Sequence, residues 1–356
     1  MKSPRPTQTE PSAARPRFPV IDAHNHLWAA WENVDEVARV MDTCGVRAYA
    51  DLTANVSLRF ADGGYVIGPG SFADFLAGAA RRHPGRFYGF TTACFCQPPG
   101  VPLCADVNAF VEESVAVLTA DVAQGARGLK ILKEFGLHYR DAAGALLRTD
   151  DRRFDPLWAA CARLDVPVLI HQADPAGFFR PPTPDNEHAD SLRKYPAWSF
   201  ADPRFPRHEE LLARLDRLVA QNPRTVFLLP HCINWPENLP WVADFLDRHP
   251  NARMDFSARC DDLGRQPEAA RAFLIRYEDR IYFGTDMPAS VAMYAFHWRF
   301  LETGDRDLVP PDYDGTFGRY RWKVRGLALP DRTLRKIYHQ NALAWIPGLK
   351  EEVNIT

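Results

Sequence analysis

The chain alternates short apolar runs with stretches whose apolar residues recur at helical spacing. The first run, Val20-Ile21-Asp22-Ala23, continues into His24-Asn25-His26-Leu27-Trp28 and predicts a strand over about 18–27. Val37, Val40 and Met41 then share one face of a helix that stops at Cys44-Gly45. Further strands are predicted near 46–53, 86–93, 126–132, 166–171, 225–231, 252–257 and 281–286. Helical stretches lie between them. One runs through Phe72, Phe75, Leu76 and Ala79, one covers about 105–120, and one opens at Asp155-Pro156, where proline is favoured. Others pass through Trp241, Phe245 and Leu246, through Phe273 and Ile275, and over 331–345. The fifth and sixth runs, ending at His171 and His231, are almost wholly apolar, as in a parallel sheet buried on both faces.

Eight strand–helix units in 356 residues predict an α/β fold, a distorted (β/α)8 TIM barrel in one domain over 18–350. An open doubly wound sheet would want a glycine-rich phosphate turn after its first strand, and this first strand runs into His-Asn-His instead. Residues 1–17, rich in Pro, Ser, Thr and Arg, read as a disordered leader, and 54–70 reads as a glycine-rich loop. Long connections follow the fifth and eighth strands, at 174–207 and 289–330, where lids and pocket walls are expected.

Composition narrows the class. A formal net charge of −2 gives no case for a nucleic-acid partner or a membrane surface. No apolar run approaches the roughly 18 residues of a membrane span. The seven cysteines, an odd number partly within apolar elements, predict reduced thiols and a cytoplasmic protein. Cys94-Phe95-Cys96 lacks the second pair that a structural zinc site needs.

The candidate chemistry sits at strand ends. In a regular strand Asp22, His24 and His26 would share a face, with Ile21 and Ala23 behind. His24 and His26 end the first strand, His171 the fifth, His231 the sixth and Asp286 the eighth. A barrel brings those ends to one mouth. Imidazoles with one carboxylate suit one divalent ion, zinc first, with manganese, iron or cobalt as alternatives. Such an ion supplies hydroxide near neutral pH. Asp286 could both ligate and take a proton, and His231 could polarise a carbonyl or shuttle a proton.

Asp22-x-His24-x-His26, the histidines of strands five and six, and Gly284-Thr285-Asp286-Met287-Pro288 resemble the amidohydrolase superfamily. More narrowly they resemble its amidohydrolase-related branch, which includes aminocarboxymuconate-semialdehyde decarboxylase. The closing segment from Leu334 to Asn341-Ala342 is similar to that branch's last helix, and the likeness spans about 18–347. The resemblance implies one catalytic metal, with His24, His26, His171 and Asp286 as ligands and His231 as the catalytic histidine. The chain departs from the pattern at Cys232-Ile233-Asn234-Trp235, where many relatives carry a small glycine-containing turn. Some superfamily members bridge two metals with a carboxylated lysine on strand four. Lys130 and Lys133 stand near that position, and regular alternation lets only one point inward.

Weaker substrate contacts are expected from Trp28, Lys130, Arg180 and Arg259. His83, His208, His249 and His297 read as surface or capping residues. The primary reading is a metal-dependent hydrolase in which activated water attacks an amide, ester or lactone of a small molecule. The alternative is a non-oxidative decarboxylase of a small, carboxylated, possibly aromatic, substrate. A basic residue beside the metal would favour the second, and a neutral apolar pocket the first. A non-catalytic barrel would bind no metal. A homodimer is a further expectation.

Overall fold

The computed structural model describes residues 15–28, 33–61, 64–97, 101–311 and 322–355. Its strands are β1 (Val20–Asp22), β2 (Val46–Asp51), β3 (Ser57–Ala61), β4 (Gly64–Gly68), β5 (Phe87–Gly89), β6 (Leu129–Ile131), β7 (Val168–Ile170), β8 (Phe227–Leu229) and β9 (Ala252–Met254). β1, β2 and β5 form one parallel sheet, and β6 to β9 form a second in the order β9-β8-β7-β6. A parallel bridge from Thr91 to Leu129 joins β5 to β6, and another from Met254 to Ile281 joins β9 to the eighth predicted segment. Ala23 N–H then donates to Phe283 O at 2.9 Å, so backbone bonds lead from β1 round to β1. The chain is a distorted (β/α)8 barrel, as its apolar runs predict.

Helices follow the strands in the expected alternation. The longer ones are α1 (Val34–Cys44), α2 (Val107–Gln124), α3 (Asp155–Arg163), α4 (His208–Gln221), α5 (Leu239–Arg248), α6 (Pro267–Arg276) and α7 (Val291–Glu302), with a short helix from Phe72 to Ala80 and a last helical stretch over 331–345. Ile21, Ala48, Ala50, Tyr88, Phe90, Leu169, Leu228 and Tyr282 pack together inside the barrel, with Ala342 and Ile346 among them. The other faces of the strands join a larger cluster against the helices. This double burial is why β7 and β8 carry no polar residue.

Several expectations are corrected. The loop expected at 54–70 contains the antiparallel β3–β4 hairpin, in which Leu58 pairs with Ile67 and Arg59 with Val66; these strand formers outweigh the nearby glycines. The 289–330 insertion contains α7, whose Tyr294 and Trp298 are buried in the core, while its residues 312–321 lie outside those described. Residues 1–14 of the expected leader also lie outside, but its last part is held: Arg17 N–H donates to Glu302 Oε1 at 2.9 Å. His208, His249 and His297 are buried rather than on the surface, while His249 takes the other expected role as the C-cap of α5.

Candidate active site

Regular pairing of β1 stops at Asp22, and the backbone bends at His24. Asp22 therefore does not share a face with His24 and His26. It accepts from Tyr294 of α7 at 2.9 Å, from Thr285 Oγ1 at 2.7 Å and from Asn25 Nδ2 at 3.0 Å. That buried carboxylate ties β1 to the eighth segment. Thr285 and Asp286 in turn both donate their N–H groups to His24 O.

Three imidazoles converge on Asp286. Nε2 of His24 and of His26 lie 3.9 and 3.6 Å from its Oδ1, and Nε2 of His231 lies 3.7 Å from its Oδ2. Each ring is fixed from behind through Nδ1. His24 Nδ1 meets Asp255 Oδ2 at 2.7 Å, His26 Nδ1 meets Thr53 Oγ1 at 2.9 Å, and His231 Nδ1 meets Ser257 O at 2.8 Å. A carboxylate or carbonyl on Nδ1 holds the proton there and leaves the Nε2 lone pair for another partner. Thr53 fits the same logic, because its hydroxyl can donate onward to Asp51.

His171 is placed differently. Its Nε2 donates to Ala173 O at 3.0 Å and lies 3.6 Å from Asp174, while its ring stands 4.4 Å from that of His231. The donor atoms of His24, His26 and Asp286 lie within 4.8 Å of one another, and His171 is outside that group.

These residues fit a metal ion by two tests. Among the described residues, His231 Nε2 and Asp286 Oδ1 are buried without a hydrogen-bond partner. Burial also keeps His26 and His231 well below, and His171 down to about 4 against, the usual imidazole value, so the rings are in the neutral form that ligates. Burial raises the Asp286 carboxyl, against the pull of His24 and Lys130.

The backbone is strained at this mouth. His231, Cys232, Ile233 and Asn234 take successive φ values of 59°, 54°, 53° and 62°, a left-handed turn with no glycine in it. Such a conformation costs roughly 1–2 kcal/mol per residue. It is anchored by Cys232 N–H on Asp255 O at 2.8 Å and by Asn234 Oδ1, which accepts from Ala173 N–H at 3.2 Å. Ala258 and Asp286 are left-handed as well. The sequence departure after His231 thus falls on a built, strained element.

A cavity of about 390 Å³ opens above His171, His231 and Asp286, walled by Trp28, Phe178, Trp198, Phe200 and Phe296. Trp28 is therefore a wall residue. Lys130 is buried beneath, with Nζ 3.5 Å from His24 Nε2, and burial brings its ammonium down to about 8. Lys133, past the regular end of β6, also lines the cavity and pairs with Asp174, so strand alternation does not exclude it. Arg259 lines the cavity 3.6 Å from Asp174. Arg180 is corrected: it is half-exposed, outside the cavity, and pairs with Glu187. Asp255, Ser257 and Asp174 escaped notice as site residues; a carboxylate at the end of an apolar strand was the available signal for Asp255.

No helix among the described residues is long and apolar enough to cross a membrane. The seven cysteines are all free. A family model described as Amidohydrolase matches residues 21–347. The fold is similar to that of an uncharacterised TIM-barrel protein, Bb4693, from Bordetella bronchiseptica, at 18% identity over 92% of this chain and 98% of that one, with a TM-score of 0.53. It is similar also to 2,6-dihydroxybenzoate decarboxylase from Rhizobium, at 16% identity over 94% and 99% and a TM-score of 0.51. A third likeness is to a dihydroxybenzoic acid decarboxylase from Polaromonas sp. JS666 with bound manganese and 2-nitroresorcinol, at 18% identity over 92% and 96% and a TM-score of 0.51. No protein with a curated description matches the chain.

Proposed function

This chain belongs to the amidohydrolase family, and we propose that it is a metal-dependent, non-oxidative decarboxylase of a small carboxylated substrate. His24, His26 and Asp286 would hold the ion, with His171 or His231 as the further imidazole. Bound there, a divalent ion supplies a Lewis acid for a substrate carboxylate or hydroxyl.

The observation that carries the choice of reaction is Lys130, a buried cation 3.5 Å from His24 Nε2. Arg259 and Lys133 also reach the cavity wall, but both face Asp174, and Glu134, Asp261, Asp262 and Asp286 line the same cavity. A wholly neutral apolar pocket would suit an uncharged amide or ester, whereas a buried ammonium beside His24 suits an anion held under aromatic walls. In decarboxylation the bond to the carboxyl carbon breaks, carbon dioxide leaves, and the electron pair stays on the substrate carbon, which then takes a proton. His231, whose Nε2 lies 3.7 Å from Asp286 Oδ2, is placed to pass that proton to the substrate carbon together with this carboxylate. The dihydroxybenzoate decarboxylases to which the chain is similar are consistent with this reading through their fold.

The second reading is hydrolysis, favoured by the orphaned His231 Nε2, whose free lone pair could take the proton of an attacking water. The zinc-, manganese- and cobalt-loaded protein should be given a panel of hydroxybenzoates and, separately, lactones and esters. Carbon dioxide release, lost with a chelator and lowered ~10²–10⁴-fold in Asp286→Asn, supports the decarboxylase. Lactone or ester turnover without carbon dioxide overturns it in favour of the hydrolase.

A further inference from the structure

Away from the strand ends, the insertion after β7 meets the turn before α5. There the carboxylate oxygens of Glu187 and Glu237 and a ring nitrogen of His188 lie within 4.8 Å of one another. His188 is only 6% exposed, and its Nε2 has no hydrogen-bond partner among the described residues. Both carboxylate oxygens of Glu237 are likewise buried and unpartnered, as is Oδ1 of the adjoining Asp262. The His188 ring is held edge-on by Phe178 and Trp322, with centroids 5.1 and 5.7 Å away, so its direction is set by packing.

Buried polar atoms are nearly always satisfied, and a buried carboxylate with two unused oxygens asks for a positive partner. Arg180 pairs with Oε2 of Glu187, and the other arginines nearby do not fill that role for Glu237. Arg265 stacks on Trp322 and stands 3.9 Å from Glu187 and 3.8 Å from Asp262, while Arg259 is engaged by Asp174. Neither makes an ion pair with Glu237. One imidazole and two carboxylates with spare lone pairs form a donor set that suits zinc or manganese.

We propose that Glu187, His188 and Glu237 form a second divalent-cation site, independent of the strand-end site, which clips the 174–207 insertion to the turn before α5. Because His188 also lines the cavity, the clip fixes the far wall of the substrate pocket. Nothing in this proposal depends on which reaction the first site catalyses.

The test loads the full-length protein with zinc, and in parallel with manganese, removes excess by gel filtration and measures metal per chain. Wild type should hold two ions, Glu237→Gln one, Asp286→Asn one, and the double variant none. Two ions retained in Glu237→Gln, or a single wild-type ion that survives Glu237→Gln, would overturn the proposal. Should Glu237→Gln fail to fold, Asp286→Asn alone decides with cobalt. One equivalent with visible ligand-field bands, and slower proteolysis within 174–207 on metal addition, supports the clip. No binding in that variant rejects it.

Discussion

Asp255 Oδ2 lies 2.7 Å from Nδ1 of His24, and both side chains are fully buried. The same carboxylate accepts from Ser257 Oγ at 2.7 Å and from the His231 backbone N–H at 3.1 Å. Burial pushes this carboxyl up, but His24 and the donated hydrogen bonds outweigh it and bring it down to about 2. One ionised group thus orients a candidate ligand and anchors the start of the strained turn at His231.

Asp255→Asn keeps the shape and removes the charge. Loss of an outer carboxylate behind a ligating histidine typically weakens metal binding ~10–100-fold. Chelator competition on the folded variant should show a dissociation constant raised by that factor. Unchanged affinity would mean that the His24 tautomer is held by something else.

Gly284 lets the eighth segment lie against β1. A Cβ there would come 2.4 Å from His24 Cβ and 2.9 Å from His24 N, a clash with backbone that no rotamer relieves. Gly284→Ala should lower stability by ~1–3 kcal/mol in urea denaturation and also reduce bound metal, since His24 itself must move. A variant with wild-type stability and metal content would show that the two segments can part without cost.

The barrel was legible because each strand is a short apolar run buried on both sides, and His24, His26, His231 and Asp286 were legible as polar groups closing such runs. What failed was local geometry. Strict alternation puts Asp22 on the face of His24, but regular pairing ends at Asp22 and the backbone bends at His24. The left-handed run at 231–234 has no glycine or asparagine signal before Asn234, so the sequence gives no hint of it. α7 escaped because its apolar residues surround it on most sides, leaving little periodicity. Asp174 and Lys133 meet only because separate strand ends converge, a contact that no spacing within either segment encodes.

Lys130 tests the choice of reaction. Its ammonium is buried beside His24, and its electrostatic partners include Asp286 and Asp255. Lys130→Met preserves bulk and removes the charge. If the cation stabilises a substrate anion as it develops, carbon dioxide release should fall roughly 10²-fold, as for other preorganised electrostatic groups. Metal at the strand-end site should stay at one ion, because the lysine is not a bridging ligand in this reading. Loss of an ion in Lys130→Met, with a chain mass showing carboxylation in wild type, would instead establish a binuclear site.

His297 offers a stability test away from the metal ligands. It lies within α7, and its Nδ1 meets the Met293 carbonyl at 2.8 Å. Burial brings its imidazole down to about 4, with that carbonyl pulling weakly the other way. In the unfolded chain the ring titrates near the model-peptide value of about 6.5. Above that pH both states are neutral and the residue contributes no slope. As pH falls below it the unfolded chain takes up a proton that the folded chain refuses, so folding stability declines until the folded ring titrates near 4. The separation corresponds to about 3 kcal/mol lost between pH 7 and pH 4. His297→Gln removes the titration, and glutamine can still donate to the Met293 carbonyl. Urea denaturation across this range should show the wild type losing about 3 kcal/mol more than the variant on acidification. Parallel curves for the two proteins would mean that the folded ring takes its proton near the ordinary pH, through an opening of α7 toward water.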